Sequence, residues 1–192
     1  THSKKTTAGR TERAKLLASA KGIEPQTRKL FDVCRQRGIP VFTFINKMDR
    51  SAQAPLALLD EIENVLGMQP VPINWPLGDG INFKGVYDRR KLGIYLYERT
   101  LRNERMAPEK FYTFKSLLDA KIMNRDSIDQ VQLDIELLDG LGIQFNHQRM
   151  LAEEQTPVYF GSALTNFGVR LFLESFIHLA PPPQPYESDQ GT

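Results

Sequence analysis

Asn46-Lys47-Met48-Asp49 follows directly on the apolar run Ile39-Pro40-Val41-Phe42-Thr43-Phe44-Ile45. An ionised carboxylate at position 49 can accept two hydrogen bonds side by side. Guanine offers that pair, with N–H donors at N1 and the adjacent 2-amino group. Adenine has a lone pair at N1 and no 2-amino group, so it would be refused. Hydrogen bonds to a charged group are the strong kind, and a good bidentate base contact discriminates by about 1–3 kcal/mol. Asn46 brings an amide that can bond the base edge or tie neighbouring loops together. The methylene stem of Lys47 can lie across the base plane. A second stretch, Gly161-Ser162-Ala163-Leu164, follows the short apolar segment Thr156-Pro157-Val158-Tyr159-Phe160 in the same way. Ala163 is small enough for the backbone to come close to a ring, and Ser162 can brace its loop against Asp49.

These residues need a rigid support. The runs 39–45 and 156–160 are rich in β-branched and aromatic residues and read as buried strands. Polar loops at the carboxyl ends of strands are where open α/β sheets hold ligands. Asn and Asp also favour plain turns, and three fixed positions of such a motif recur by chance in about one chain in fifty of this length. The strand before each loop is what favours the ligand reading over the turn.

The surrounding pattern predicts further elements. A helix is expected between Pro25 and Gly38, with Leu30, Phe31, Val33 and Cys34 as its apolar stripe. Another spans 55–66, opened by Pro55, lined by Leu56, Leu59, Ile62 and Leu66, and closed by Gly67. Residues 71–76 are extended, because residues before proline avoid the helical region, and Gly78-Asp79-Gly80 is a turn. Strands at 83–87 and 93–97 flank the basic turn 88–91. Helices are expected around 114–122 and 127–139, the second with an acidic face of Asp129, Asp134, Glu136 and Asp139. That face is read as solvated, with docking of a basic partner as the alternative. A last helix carries Val169, Phe172, Leu173, Phe176 and Ile177 and must stop at Pro181-Pro182-Pro183.

Composition sets the outer bounds. The chain has 192 residues, 41% hydrophobic and 25% charged, with a formal net charge of +2. This suits one globular unit with no strong electrostatic pull toward nucleic acid or membrane. The single cysteine, Cys34, cannot form an internal disulfide and is expected to be a buried structural thiol. His2, His147 and His178 are scattered and give no metal-ligand spacing. No apolar stretch is long enough to cross a bilayer. The expected location is cytoplasmic.

At this point the chain resembles the translational GTPases, and within them the peptide chain release factor 3 family. Asn46-Lys47-x-Asp49 matches their guanine-reading motif, and Ser162-Ala163-Leu164 matches their second base loop. The likeness extends through Thr27-Arg28-Lys29-Leu30, Phe44 to Arg50, Leu58 to Glu63, Trp75-Pro76-Leu77-Gly78, Phe83 to Tyr87 and Gly161 to Val169. The long step between the two loops implies an inserted subdomain, as in elongation factor G. The resemblance implies GTP and GDP as ligands, with Mg²⁺ in the full-length family. It implies guanine contacts from Asn46, Lys47, Asp49, Ser162, Ala163 and Leu164, including a backbone N–H from the Ser-Ala step to the guanine O6. The implied partners are the ribosome and a class I release factor, with no sequence-specific nucleic acid and no membrane.

The resemblance also exposes what the chain lacks. No Gly-x4-Gly-Lys-Ser/Thr loop occurs in it; Lys4-Lys5-Thr6-Thr7 echoes the end of one without the glycines. No Asp-x-x-Gly with its histidine is present to place water. Phosphoryl transfer depends on that positioning, so no catalytic residue is assigned and the chain alone is expected not to hydrolyse GTP. The expected architecture is α/β: a partial P-loop-NTPase-like G domain, with two guanine-side strands and their helices, plus an inserted α+β subdomain. Residues 1–19 are expected to be a basic leader, disordered or non-native. Residues 20–82 form the first G-domain part, 83–155 the insert, 156–183 the second G-domain part and 184–192 a linker. With the P-loop strand missing, strand 39–45 is expected to expose an apolar edge. The alternatives are an interaction module for ribosome or factor that needs no nucleotide, and a non-functional fragment.

Overall fold

The computed structural model describes residues 14–19, 22–97 and 109–180. Two sheets meet in it. The first is parallel and four-stranded, in the order β1 (Ala14–Ser19), β2 (Val41–Asn46), β8 (Gln155–Phe160), β3 (Gln69–Pro72). The second is antiparallel, running β4 (Asn74–Leu77), β5 (Gly85–Asp88), β6 (Gly93–Tyr97), β7 (Glu109–Tyr112).

The parallel sheet is covered on both faces, as parallel sheets require. Alternation along β2 sends Val41 and Ile45 to one side, with Phe31 and Cys34 of α1 (Pro25–Gln36) and Leu58, Leu59, Ile62 and Leu66 of α2 (Pro55–Leu66). Phe42 and Phe44 face the other side, where Met150 of α5 (His147–Leu151) and Phe172 of α6 (Val169–Leu179) pack with Tyr159. Prolines occupy the first positions of α1 and α2, where a missing N–H costs nothing. Gly67 ends α2 in the left-handed conformation and donates to Glu63 O at 2.8 Å. In α1 only Phe31 and Cys34 are buried; Leu30 and Val33, expected in the same stripe, face outward. A helix advances 100° per residue, and the narrow buried face takes 31 and 34 but not their neighbours.

Two expectations are corrected. Residues 14–19 of the anticipated leader form β1, which pairs in parallel register with β2 from Ala14↔Val41 to Ser19↔Asn46. The flank of β2 expected to lie open is therefore covered, and the sheet has four strands rather than two. The stretch Ala14-Lys15-Leu16-Leu17-Ala18-Ser19 carries no alternation and sits among basic residues, which hid it. Residues 1–13 of that leader and the 184–192 linker lie outside the described residues.

The antiparallel sheet begins at Asn74, ahead of the insert boundary expected at 83. A single residue, Ile73, separates it from β3. Ile73 N–H donates to Val158 O (2.9 Å) in the parallel sheet, and its carbonyl accepts from Arg89 N–H (3.1 Å) in the other. Buried Asn74 reinforces the seam: Phe160 N–H donates to its Oδ1 (2.7 Å) and its Nδ2 donates to Phe160 O (3.0 Å). The short helix α3 (Phe114–Asp119) opens on a Thr113–Ser116 capping box. The longer α4 (Arg125–Gly140) covers the antiparallel sheet with Ile128, Val131, Ile135 and Leu138. Its acidic side is partly structural: Asp134 accepts from Trp75 Nε1–H (3.1 Å), and Asp139 pairs with Arg89 at 2.6 Å.

Candidate functional site

The two loops expected to read a base leave adjacent parallel strands, β2 and β8, so sheet geometry alone sets them side by side. Their backbones are stitched at the strand ends. Gly161 N–H donates to Ile45 O (3.0 Å), and Met48 N–H donates to Gly161 O (3.1 Å). Gly161 has to be glycine: a Cβ there would lie 2.4 Å from Phe167 O and 2.9 Å from Phe44 Cζ.

Asn46 is the bridge. Its Oδ1 accepts from Lys47 N–H (2.8 Å) and from Ala163 N–H (2.9 Å). The amide oxygen thereby fixes the turn of its own loop and pulls in the second loop, while its NH2 stays available for a base. The turn is tight, and Lys47 takes a left-handed φ of +70°, which costs a non-glycine residue roughly 1–2 kcal/mol. Arg50 N–H closes it on Lys47 O at 3.0 Å, and Met48 is fully buried as the loop's anchor in the core. Lys47 itself is exposed.

Asp49 is half-buried, and its Oδ1 is a buried acceptor without a hydrogen-bond partner. Buried polar groups are nearly always paired, and leaving an acceptor unmade is costly. A ligand presenting N–H donors fits that oxygen. Ser162 is wholly buried and turns its hydroxyl inward on its own loop, accepting from Thr165 N–H at 3.3 Å, while its N–H donates to Phe167 O (2.9 Å). Its brace thus runs within the loop, not toward Asp49. Ala163 and Leu164 are exposed at the loop tip. The loop closes through Asn166 and Gly168, both at positive φ.

One contributor was not legible as part of the site. The turn Gly78-Asp79-Gly80 packs under the first loop: Gly80 N–H donates to both Met48 O (2.9 Å) and Arg50 O (3.1 Å), and Asp79 Oδ2 accepts from Ala52 N–H (3.2 Å). Two glycines around an aspartate signal a turn, but nothing in the spacing says what the turn touches. Among the described residues no group of three His, Cys, Asp or Glu side chains is placed to hold a metal ion, and no helix is long and apolar enough to cross a membrane.

Residues 8–182 match the family model described as the elongation factor Tu GTP binding domain. The chain is 48% identical over 187 residues to a peptide chain release factor 3 from Gloeobacter violaceus, covering 97% of this chain and 35% of that protein. Its namesakes from Synechococcus elongatus and Trichodesmium erythraeum are each 49% identical over 173 residues, covering 90% of this chain and 31% and 32% of theirs. The chain thus spans about a third of the length of these relatives. A solved structure from Thermus thermophilus shares the fold, with a TM-score of 0.59 at 23% identity over 87% of this chain and 26% of that one. Two loops on adjacent parallel strands, a match along nearly the whole length and these relatives agree: the chain belongs to the elongation factor Tu GTP binding domain family.

Proposed function

We propose that this chain is the guanine-reading part of a translation-termination GTPase of the release factor 3 type. The observation that carries the reading is the buried, unpaired Asp49 Oδ1 beside a loop that Asn46 ties to Ala163. In this reading Asp49 takes the N1 and 2-amino protons of guanine. Lys47 covers one face of the base and the Asn46 NH2 bonds its edge. In this reading the Ala163 N–H, which Asn46 Oδ1 holds, is shared with the O6 carbonyl of the base, buried Ser162 shapes the loop from within, and exposed Leu164 at the tip completes the wall. GTP and GDP are the ligands.

Phosphate binding, Mg²⁺ coordination and water activation need residues whose signatures this chain does not carry. The chain on its own therefore recognises the base without hydrolysing GTP. The similarity to release factor 3 proteins supports the ribosome and a class I release factor as partners of the whole protein, acting in the cytoplasm.

The test is an NMR titration of the chain with GMP and with AMP. Tighter binding of GMP, with shifts at the amides of Asp49 and Ala163, is the expected result. Asp49→Ala should weaken GMP by about 5- to 150-fold, the range of a bidentate base contact, and leave AMP unchanged. Equal binding of the two nucleotides by the unaltered chain would overturn the proposal.

A further inference from the structure

The base-reading loops are gripped from the antiparallel sheet as well as from the strands that carry them. Gly78-Asp79-Gly80 leaves the end of β4 and reaches back under residues 48–52. Three hydrogen bonds join it to that loop: Gly80 N–H donates to two loop carbonyls, Met48 O and Arg50 O, and Asp79 Oδ2 accepts from Ala52 N–H. The residue between those two carbonyls is Asp49. The second loop is held from the same unit. Phe167 stacks on Tyr97 of β6 (4.6 Å between centroids, 19° between planes) and lies 5.9 Å from Phe83. Its carbonyl in turn accepts from Ser162 N–H.

From this we infer that Asp79 is a positioning residue for guanine recognition: it clamps the loop so that the Asp49 carboxylate meets both donors of the base. The inference rests on the guanine reading above. The physical argument is one of tolerance. A bidentate pair needs both oxygens in place at once, and a supporting shell left loose forfeits the second contact before the first. Ala52 lies three residues beyond Asp49 with no regular structure between them. Without the carboxylate that holds Ala52 N–H, residues 50–52 lose a side-chain tie to the turn and keep the Gly80 amide on Arg50 O.

Inosine monophosphate separates positioning from general support. It retains the N1 proton and lacks the 2-amino group, so the ratio of GMP to IMP affinity reads the second contact of Asp49 alone. We expect Asp79→Ala to lower that ratio at least threefold with the preference for GMP over AMP reduced but present. Asp79→Asn keeps an acceptor oxygen and should restore the ratio, which a loss of fold or of charge alone would not allow. Amide exchange at Ala52, measured without nucleotide, should accelerate in Asp79→Ala and not in Asp79→Asn. An unchanged GMP to IMP ratio in a folded Asp79→Ala variant overturns the inference and leaves the guanine reading standing. Failure of the unaltered chain to prefer GMP over AMP would overturn the guanine reading, and the inference with it.

Discussion

Lys47 sits in a backbone conformation that only glycine adopts freely, with φ at +70°. Lys47→Gly should therefore raise the midpoint of urea unfolding, by about 0.5–1 kcal/mol in stability. The same change removes the side chain proposed to cover the base, so GMP should bind more weakly in the more stable protein. Parallel movement of the two measurements would refute the role given to the side chain. Asn46 works oppositely, because its single oxygen serves two amides. Asn46→Ala should cost about 1–2 kcal/mol of stability together with base binding. Tyr159 reports on the interior: burial pushes its hydroxyl up to about 12. A raised tyrosine pKa favours the protonated form in the folded chain, so its contribution is whole below pH 10 and is lost as pH climbs from 10 toward 12. In a spectrophotometric titration of the folded chain, Tyr159→Phe should remove absorbance change only from the high-pH end of the curve.

At the level of elements, the seam between the sheets is the sensitive place. Asn74→Ala would leave both the N–H and the carbonyl of Phe160 without their side-chain partners in a buried setting. The expected loss is about 2–4 kcal/mol, read by chemical denaturation. Asn74→Asp keeps the acceptor for Phe160 N–H but brings a buried charge against Phe160 O, and it should be no better tolerated. Much of the architecture was legible locally, since Pro55 and Gly67 bracket α2 and the apolar runs before Asn46 and Gly161 are strands. What was hidden depends on partners distant in sequence. The strand at 14–19 is defined by its pairing with β2, and α5 is too short to show a period. Residues 71–76 read as one extended segment because extended backbone looks alike whichever sheet it joins. Asp49 was singled out by type and position, and the structure gives it a buried acceptor without a partner; the contact of Asp79 with the same loop had no such signal, because turn chemistry gives no address.

Across the whole molecule, one core runs beneath both sheets. Ile45, Val158 and Phe160 of the parallel sheet share a cluster with Trp75, Val86, Ile94 and Leu96 of the antiparallel one. Trp75 stands at the centre, 5.3 Å from Phe160 in an edge-to-face contact and capped by Asp134. Unfolding should therefore be a single transition. Trp75 fluorescence, which reports the antiparallel sheet, should give the same denaturant midpoint as far-UV circular dichroism. Two separated midpoints would show that the subdomains melt independently.

Ile73 alone separates β3, the edge strand of the parallel sheet, from β4 of the other, with its two backbone groups spoken for on opposite sides. Such a connection has no slack. A force applied to the antiparallel sheet, whether by a docking macromolecule or by an instrument, should reach the strand beside the Asn46 and Ser162 loops as torque instead of being absorbed by a hinge.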